Sequence, residues 1–333
     1  MSFEQELAAK DRVELAFLPT PLHELPALAD AIGGPRLFIK RDDQTGLATG
    51  GNKTRKLEFL IADAIKLGAD TVITAGAPQS NHCRQTAAAA ARYGLNCELV
   101  LGGPKPEVPN GNLLLDIFFG ASLNFTEKAR RNQVMREVAD ELRRKGENPY
   151  IIPVGGSNGI GALGYIDALI ETCAQLDSMN QKIDRILFAT SSGGTQAGLA
   201  LGAKLSGCSS QILGISVDQE KLDGRPYQQE LVQITGEAAA CIGVENSFSI
   251  EDFDINYEYL GAGYGVVGDL ERNAINLLAK TEGILLDPVY AGRAFGGMLD
   301  LIAKGEIGRD ENILFWHTGG SSALFAYAQD LVD

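Results

Sequence analysis

The sequence predicts an α/β protein built on mostly parallel sheets. Three observations carry that expectation. Short apolar runs of strand length alternate with amphipathic stretches along the 333 residues. Several runs are continuous β-branched or aromatic residues, as in strands covered on both faces. Loops rich in Gly, Ser, Thr and Asn follow the runs. Alternation of strand and helix is the pattern that yields parallel sheets.

The expected strands are 36–41, 70–75, 96–101, 149–153, 185–190, 211–217 and 311–316. Between them, 53–66 reads as a helix: Leu57, Leu60, Ile61, Ala64 and Ile65 share one stripe, and Gly68 follows as a stop. Residues 83–92 form an Ala-rich helix, and the charged stretch 128–145 an exposed one. Ligands of such sheets bind beyond the carboxyl ends of the strands. That rule selects the loops 76–82, 154–161, 190–196 and 317–322.

Composition narrows the function. Apolar residues make up 45% and charged residues 22% of the chain, as in a globular enzyme. The net charge of −14 repels nucleic acid and anionic membranes, so neither is an expected partner. Cys83, Cys97, Cys173, Cys208 and Cys241 are odd in number and lack CxxC spacing. With only three histidines beside them, no metal site and no disulfide scaffold is expected. The acidic N-terminus lacks the apolar core of a signal peptide, and no apolar run approaches the ~20 residues that cross a bilayer. The expected compartment is the cytoplasm.

Each selected loop offers chemistry. Lys53 opens a helix after Gly50, Gly51 and Asn52. The glycines would let the backbone approach a ligand, and Asn52 would cap the helix. The helix dipole, Arg55 and Lys56 would lower the pKa of Lys53, which a Schiff-base lysine needs. Taken alone, it reads more readily as a solvated lysine in a basic first turn. Ser191, Ser192, Gly193, Gly194 and Thr195 join a strand to a helix and suit a phosphate, although neither a Walker A loop nor a GxGxxG fingerprint is present. Gln79, Ser80, Asn81 and His82 would offer a carboxylate free N–H groups and a hydroxyl, or simply cap a helix. No GxSxG elbow surrounds Ser80, which disfavours a serine hydrolase. Thr318 would present a hydroxyl to a ring nitrogen, while His317 suits packing better than catalysis. Tyr264 and Tyr290 stand in loops and would serve as acid, base or hydrogen-bond donor, or simply pack.

The order of the motifs is more specific than any of them. Lys-Arg-Asp-Asp at 40–43, Gly-Gly-Asn-Lys-Thr-Arg-Lys-Leu-Glu-Phe at 50–59 and Gln-Ser-Asn-His-Cys-Arg-Gln-Thr at 79–86 come first. Ile-Pro-Val-Gly-Gly-Ser-Asn at 152–158, Gly-Thr-Gln-Ala-Gly at 194–198 and Gly-Tyr-Gly at 263–265 follow. Leu-Leu-Asp-Pro-Val-Tyr at 285–290 and His-Thr-Gly-Gly at 317–320 complete the series. From about Pro19 to Phe325 the chain resembles the family of D-cysteine desulfhydrase, 1-aminocyclopropane-1-carboxylate deaminase and L-cysteate sulfo-lyase.

The resemblance implies a two-domain, three-layer α/β/α, tryptophan-synthase-β-like fold (fold type II) with pyridoxal 5′-phosphate, in a homodimer. The large domain would comprise 1–52 and 163–333, the small one 53–162. Lys53 would hold the cofactor and move the substrate α-proton. Asn81 would bond the phenolic oxygen, residues 191–195 the phosphate, and Thr318 would face the pyridine nitrogen. Ser80, with the backbone of Asn81 and His82, would hold the carboxylate of a small amino-acid substrate, flanked by Tyr264 and Tyr290. Two positions depart from the family pattern: Ser191 stands where glycine is usual, and Ala291 where the deaminase has a glutamate that keeps the pyridine nitrogen protonated. Ring opening needs that strong electron sink; β-elimination needs less, because the leaving group departs as charge develops. D-Cysteine cleavage to pyruvate, ammonia and hydrogen sulfide is therefore the leading expectation. L-Cysteate cleavage is a close rival and cyclopropane ring opening a further one. A non-catalytic cofactor- or amino-acid-binding protein and a nucleotide-dependent oxidoreductase are the readings from other classes.

Overall fold

The computed structural model describes residues 2–218, 221–222 and 225–332. Two open sheets organise them. The larger has six strands in the order Leu22–Glu24, Arg36–Arg41, Asn312–His317, Arg185–Thr190, Gln211–Ser216 and Asp254–Asn256. All its pairings are parallel except the first. The smaller has four parallel strands in the order Ser122–Thr126, Asn96–Gly102, Thr71–Gly76 and Pro149–Ile151.

Strand alternation shows why the apolar runs are continuous. Leu37, Ile39, Leu187, Ile313 and Phe315 pack one face of the larger sheet against the Ala291–Ala303 helix and its neighbours. Phe38, Ile186, Phe188, Leu314 and Trp316 pack the other face against Tyr165, Leu169 and Leu199. The smaller sheet repeats the arrangement. Val72, Leu99 and Leu101 meet Leu57, Leu60 and Ile61 on one side, while Ile73, Ala75 and Val100 meet Met135, Ala139 and Leu142 on the other. Each such side chain contributes ~1.5–3 kcal/mol when fully buried, so both faces must be covered.

All seven expected strands are present, with ends moved by up to two residues. The expected helices are Lys53–Lys66, Asn81–Arg92 and Arg131–Arg144. The last buries only Met135, Ala139 and Leu142, as an exposed amphipathic helix does. Two details differ from expectation. Ile65 lies outside the buried stripe and is exposed. The polar side of the Lys53 helix is not solvated, because Thr54, Arg55, Lys56 and Glu58 are buried. Edge strands Leu22–Glu24, Ser122–Thr126 and Asp254–Asn256 are short and at most half-buried, which removes the apolar run that would reveal them.

Arg55 shows what the buried polar face does. Its guanidinium bonds Asp42 and Glu171, and Asp42 also receives Thr20 Oγ1, Tyr165 Oη and Trp316 Nε1. This network fixes the first turn of the Lys53 helix against the larger sheet. Among the described residues, no helix is long and apolar enough to cross a membrane.

Candidate active site

A cavity opens at the carboxyl ends of both sheets. All four loops selected by that rule reach it: Gly76, Ala77, Ser80, Asn81 and His82 from one, Val154 and Gly155 from the second, Ser191–Gly193 and Thr195 from the third, Thr318 from the fourth. Lys53, Tyr264 and Tyr290 complete the expected set. Gly194 is not on the wall, since its N–H donates inward to Ser157 Oγ at 3.0 Å.

The Lys53 amine donates to Gly155 O at 3.3 Å. Burial lowers its pKa to about 8, partly opposed by a hydrogen bond with Lys56. This corrects the expected cause. Arg55 is consumed by carboxylates, and Lys56 raises the Lys53 value rather than lowering it. Lys56 is fully buried, bonds Gly155 O and Ser157 Oγ, and is itself held far below the ordinary lysine value by burial and by Lys53.

The turn before Lys53 also differs from expectation. Gly50 and Gly51 do not face the cavity. A Cβ at Gly50 would stand 1.9 Å from Asp43 O, and its φ is +71°, so the glycine serves a tight backbone turn. Asn52 makes no side-chain cap. Gln85 Oε1 accepts from the Thr54 N–H at 2.8 Å instead, and Asn52 Nδ2 is free to reach Thr195 Oγ1 at 3.1 Å.

At the opposite wall, Ser80 caps the Asn81–Arg92 helix by accepting from the Cys83 N–H. Capping uses only a lone pair, so its hydroxyl hydrogen remains available. Asn81 Oδ1 accepts from Arg84 Nη1 at 3.2 Å and from Asn112 Nδ2 at 2.8 Å. Arginine is only a donor, which fixes the amide orientation and leaves Nδ2 as the donor, beside Gly320. Thr74 Oγ1 donates to Ile152 O and so accepts from His82 Nε2. Burial, Lys53 and Lys56 lower the His82 pKa well below the ordinary value, which favours the neutral ring.

Positive φ in the 191–195 loop falls on Gly193 (92°), so serine at 191 requires no strained backbone. The loop leads into the N-terminus of the Gly194–Ser206 helix, where N–H groups and the dipole favour an anion. The Tyr264 and Tyr290 hydroxyls hydrogen-bond each other, and burial raises both pKa values, so both stay protonated at neutral pH. His317 is buried and packed: Nδ1 accepts from the Gly319 N–H and Nε2 lies 2.9 Å from Leu285 O. Ala291 is buried in the core of the larger sheet, not on the cavity wall. The Asp287 carboxylate nearby is occupied by the N–H groups of Val289, Tyr290 and Ala291.

Several wall residues escaped sequence reasoning. Arg131 and Lys128 face the cavity from the charged helix region, and Lys128 lies 3.8 Å from Asp218 and over the Tyr264 ring. Their surroundings in sequence are rich in charge, so nothing marked them. Ser157 and Gly155 were visible only as part of a loop.

A profile of the pyridoxal-phosphate dependent enzyme family matches residues 13–319. The chain belongs to that family. Its curated relatives include the D-cysteine desulfhydrases of Serratia proteamaculans (strain 568), 41% identical over 98% of this chain and 99% of the relative. That of Klebsiella pneumoniae (strain 342) is 43% identical over 97% of this chain and 98% of the relative. Among solved structures, an ACC deaminase homologue superposes with TM-score 0.90 at 40% identity, covering 99% of this chain and 98% of the other. Threonine deaminase isoform 2 from Solanum lycopersicum, 17% identical with TM-score 0.69 over 99% of this chain and 86% of its own, shares the fold. The fold is accordingly the two-sheet α/β/α arrangement of fold type II, and the cofactor is pyridoxal phosphate.

The wall suits that cofactor chemically. It offers a deprotonatable amine at Lys53, an anion site at the start of the Gly194–Ser206 helix, an amide donor at Asn81 and the Thr318 hydroxyl.

Proposed function

We propose that this chain cleaves D-cysteine by β-elimination, converting it with one water to pyruvate, ammonia and hydrogen sulfide. The observation that carries the reading is the Lys53 amine, its pKa near 8, on one wall with the protonated Tyr264–Tyr290 pair. The named relatives point the same way.

The bound cofactor supplies the electron sink for charge developing at the substrate α-carbon. The N–H groups at the start of the Asn81–Arg92 helix and the Ser80 hydroxyl hold the carboxylate. Lys53 Nζ takes the α-proton, directly or through Ser80. The tyrosine pair donates a proton to the departing sulfur. Asn81 would hold the phenolic oxygen, Thr318 would sit at the ring nitrogen, and Ser191, Ser192, Gly193, Thr195 and the Gly194 turn would hold the phosphate. Ala291 brings no carboxylate to the ring, which favours elimination over cyclopropane ring opening.

A second reading, L-cysteate cleavage, is favoured by Arg131. Its Nε donates to Lys128 O, and among the described residues no carboxylate pairs with it. With Lys128 it would suit an anionic β-substituent. A substrate panel separates the readings: D-cysteine, L-cysteine, L-cysteate and the cyclopropane amino acid, with pyruvate, 2-oxobutyrate, sulfide and sulfite assayed together. Fastest release of sulfide from D-cysteine is expected; fastest release of 2-oxobutyrate would overturn the Ala291 argument. Fastest sulfite from L-cysteate, reduced in Arg131→Gln, would select the second reading.

The same proposal includes a small domain at 53–162 and a large one at 1–52 and 163–333, supported by strands of the smaller sheet falling within 71–151. It also includes a homodimer in the cytoplasm. Exposed Val108, Phe118 and Phe325, in segments joined by the Asn110–Phe325 hydrogen bond, support a covered face.

A further inference from the structure

Arg84 is fully buried, yet no carboxylate bonds it among the described residues. The other fully buried arginines behave differently. Arg55 bonds Asp42 and Glu171, and Arg293 bonds Glu271. Arg84 instead uses neutral acceptors: Asn112 Oδ1 at 2.6 Å, Gly50 O at 2.7 Å, Asn81 Oδ1 at 3.2 Å and Ser322 Oγ at 3.4 Å. Its Nε has no partner, and neither does either oxygen of buried Asp116. A buried cation with no carboxylate hydrogen-bonded to it is costly, and Asp116 and Asp287 offset the charge of Arg84 only through space. Such a charge persists where a bound anion offsets it or where it fixes a group that must not turn.

We propose that Arg84 is a positioning residue that, through Asn81, strengthens the hydrogen bond donated to the anionic phenolic oxygen of the cofactor. The proposal rests on the reading of Asn81 given above. Two features of the geometry support it. Arg84 Nη1 and Asn112 Nδ2 together hold Asn81 Oδ1, so Nδ2 cannot exchange places with it. Polarising the amide oxygen with a cation makes the amide N–H a better donor. Arg84 Nη2 meanwhile pins Gly50, three residues before Lys53, so one guanidinium sets both the donor and the turn that delivers the amine. Burial lowers the Arg84 pKa to about 10, so it stays charged at neutral pH.

The readout is the pH titration of the visible absorption band of the holoenzyme, with cofactor dissociation measured alongside. Groups around Arg84 and the cavity are Asp116 on the Gly111–Phe118 helix, Asp287 before the Ala291–Ala303 helix, Lys53 and Lys56 on their helix, and His82 and Cys83 on that of Arg84. Weakening a donor to an anionic oxygen raises that oxygen's proton affinity. Arg84→Gln is expected to raise the band's pKa by about one unit and to weaken cofactor binding roughly tenfold. Arg84→Lys, which keeps the charge, shifts it less in the same direction. The deciding arm is Asn81→Ala: it raises the band's pKa by itself, and Arg84→Gln added to it raises it no further. A full Arg84 shift persisting without Asn81 overturns the proposal. So does an unmoved band in both Arg84 variants while Asn81→Ala moves it. If Asn81→Ala leaves the band where it was, the assignment of Asn81 fails and the proposal with it. Should the Arg84 variants not fold, Asn112→Ala takes their place: a smaller upward shift, absent without Asn81, supports the role, and no shift overturns it.

Discussion

Lys53 in the cofactor-free protein should capture pyridoxal phosphate with a pH dependence that an exposed lysine cannot show. Only the unprotonated amine attacks the aldehyde. With a pKa near 8 rather than 10.5, about one Lys53 in ten is unprotonated at pH 7, against about one in three thousand for an ordinary lysine. Between pH 6 and pH 9 the reactive fraction rises from ~1% to ~90%, so the capture rate should climb about ninety-fold. Stopped-flow mixing of apoenzyme with cofactor, followed in the visible band, measures it. Asp116, pushed up to about 8 by burial, titrates in the same range. Asp116→Asn should leave the inflection in place, and His82 stays neutral throughout. Since the Lys56 bond raises the Lys53 value, Lys56→Met should move the inflection lower. An inflection near 10.5 in the wild type, or one that follows Asp116, would refute the burial argument.

Two further outcomes follow from the geometry. Asp42→Ala removes the acceptor of Arg55, Tyr165, Trp316 and Thr20 and should cost about 3–5 kcal/mol, read from urea unfolding. Burial pushes the Asp42 pKa up, but Arg55, Lys40 and Tyr165 together outweigh it and hold the value below the ordinary carboxylate. Its stabilisation is therefore complete above the unfolded value near ~3.9 and is lost as pH falls through the folded one; the variant should show a shallower acid limb. Tyr264→Phe and Tyr290→Phe should each lower kcat for pyruvate formation about 10²- to 10⁴-fold if the pair protonates the leaving group. A change confined to KM would reduce them to substrate packing.

What the sequence disclosed and what it hid divide along a physical line. Strands buried on both faces announce themselves as runs such as Arg-Ile-Leu-Phe-Ala-Thr, because side chains of alternate parity meet different apolar layers. The carboxyl-end rule then found the four loops that meet at the cavity. Roles set by distant partners left no local trace. Asn52 looks like a cap, but Gln85 from another helix takes that place. Arg55 looks like a solvated neighbour of Lys53, but Asp42 and Glu171 enclose it. Arg131 sits in a stretch of charges whose remaining members mostly face water.

The charge of the chain and the charge of its site run in opposite directions, and the fold reconciles them. A net −14 repels an anionic cofactor and substrate at long range. At the cavity, the parallel strands deliver two helix N-termini, at Asn81 and Gly194, whose dipoles favour anions. Arg131 on the wall, and Arg84 behind Asn81, add guanidinium charge to which no carboxylate is hydrogen-bonded among the described residues, whereas Arg55 and Arg293 are paired with carboxylates. Lys53 adds an amine whose pKa burial has lowered to about 8, and burial holds the neighbouring Lys56 amine well below the ordinary lysine value. Groups that favour anions thus gather at the place where phosphate, phenolic oxygen and carboxylate would sit. The surface charge, screened within about 8–10 Å at physiological salt, scarcely opposes it there.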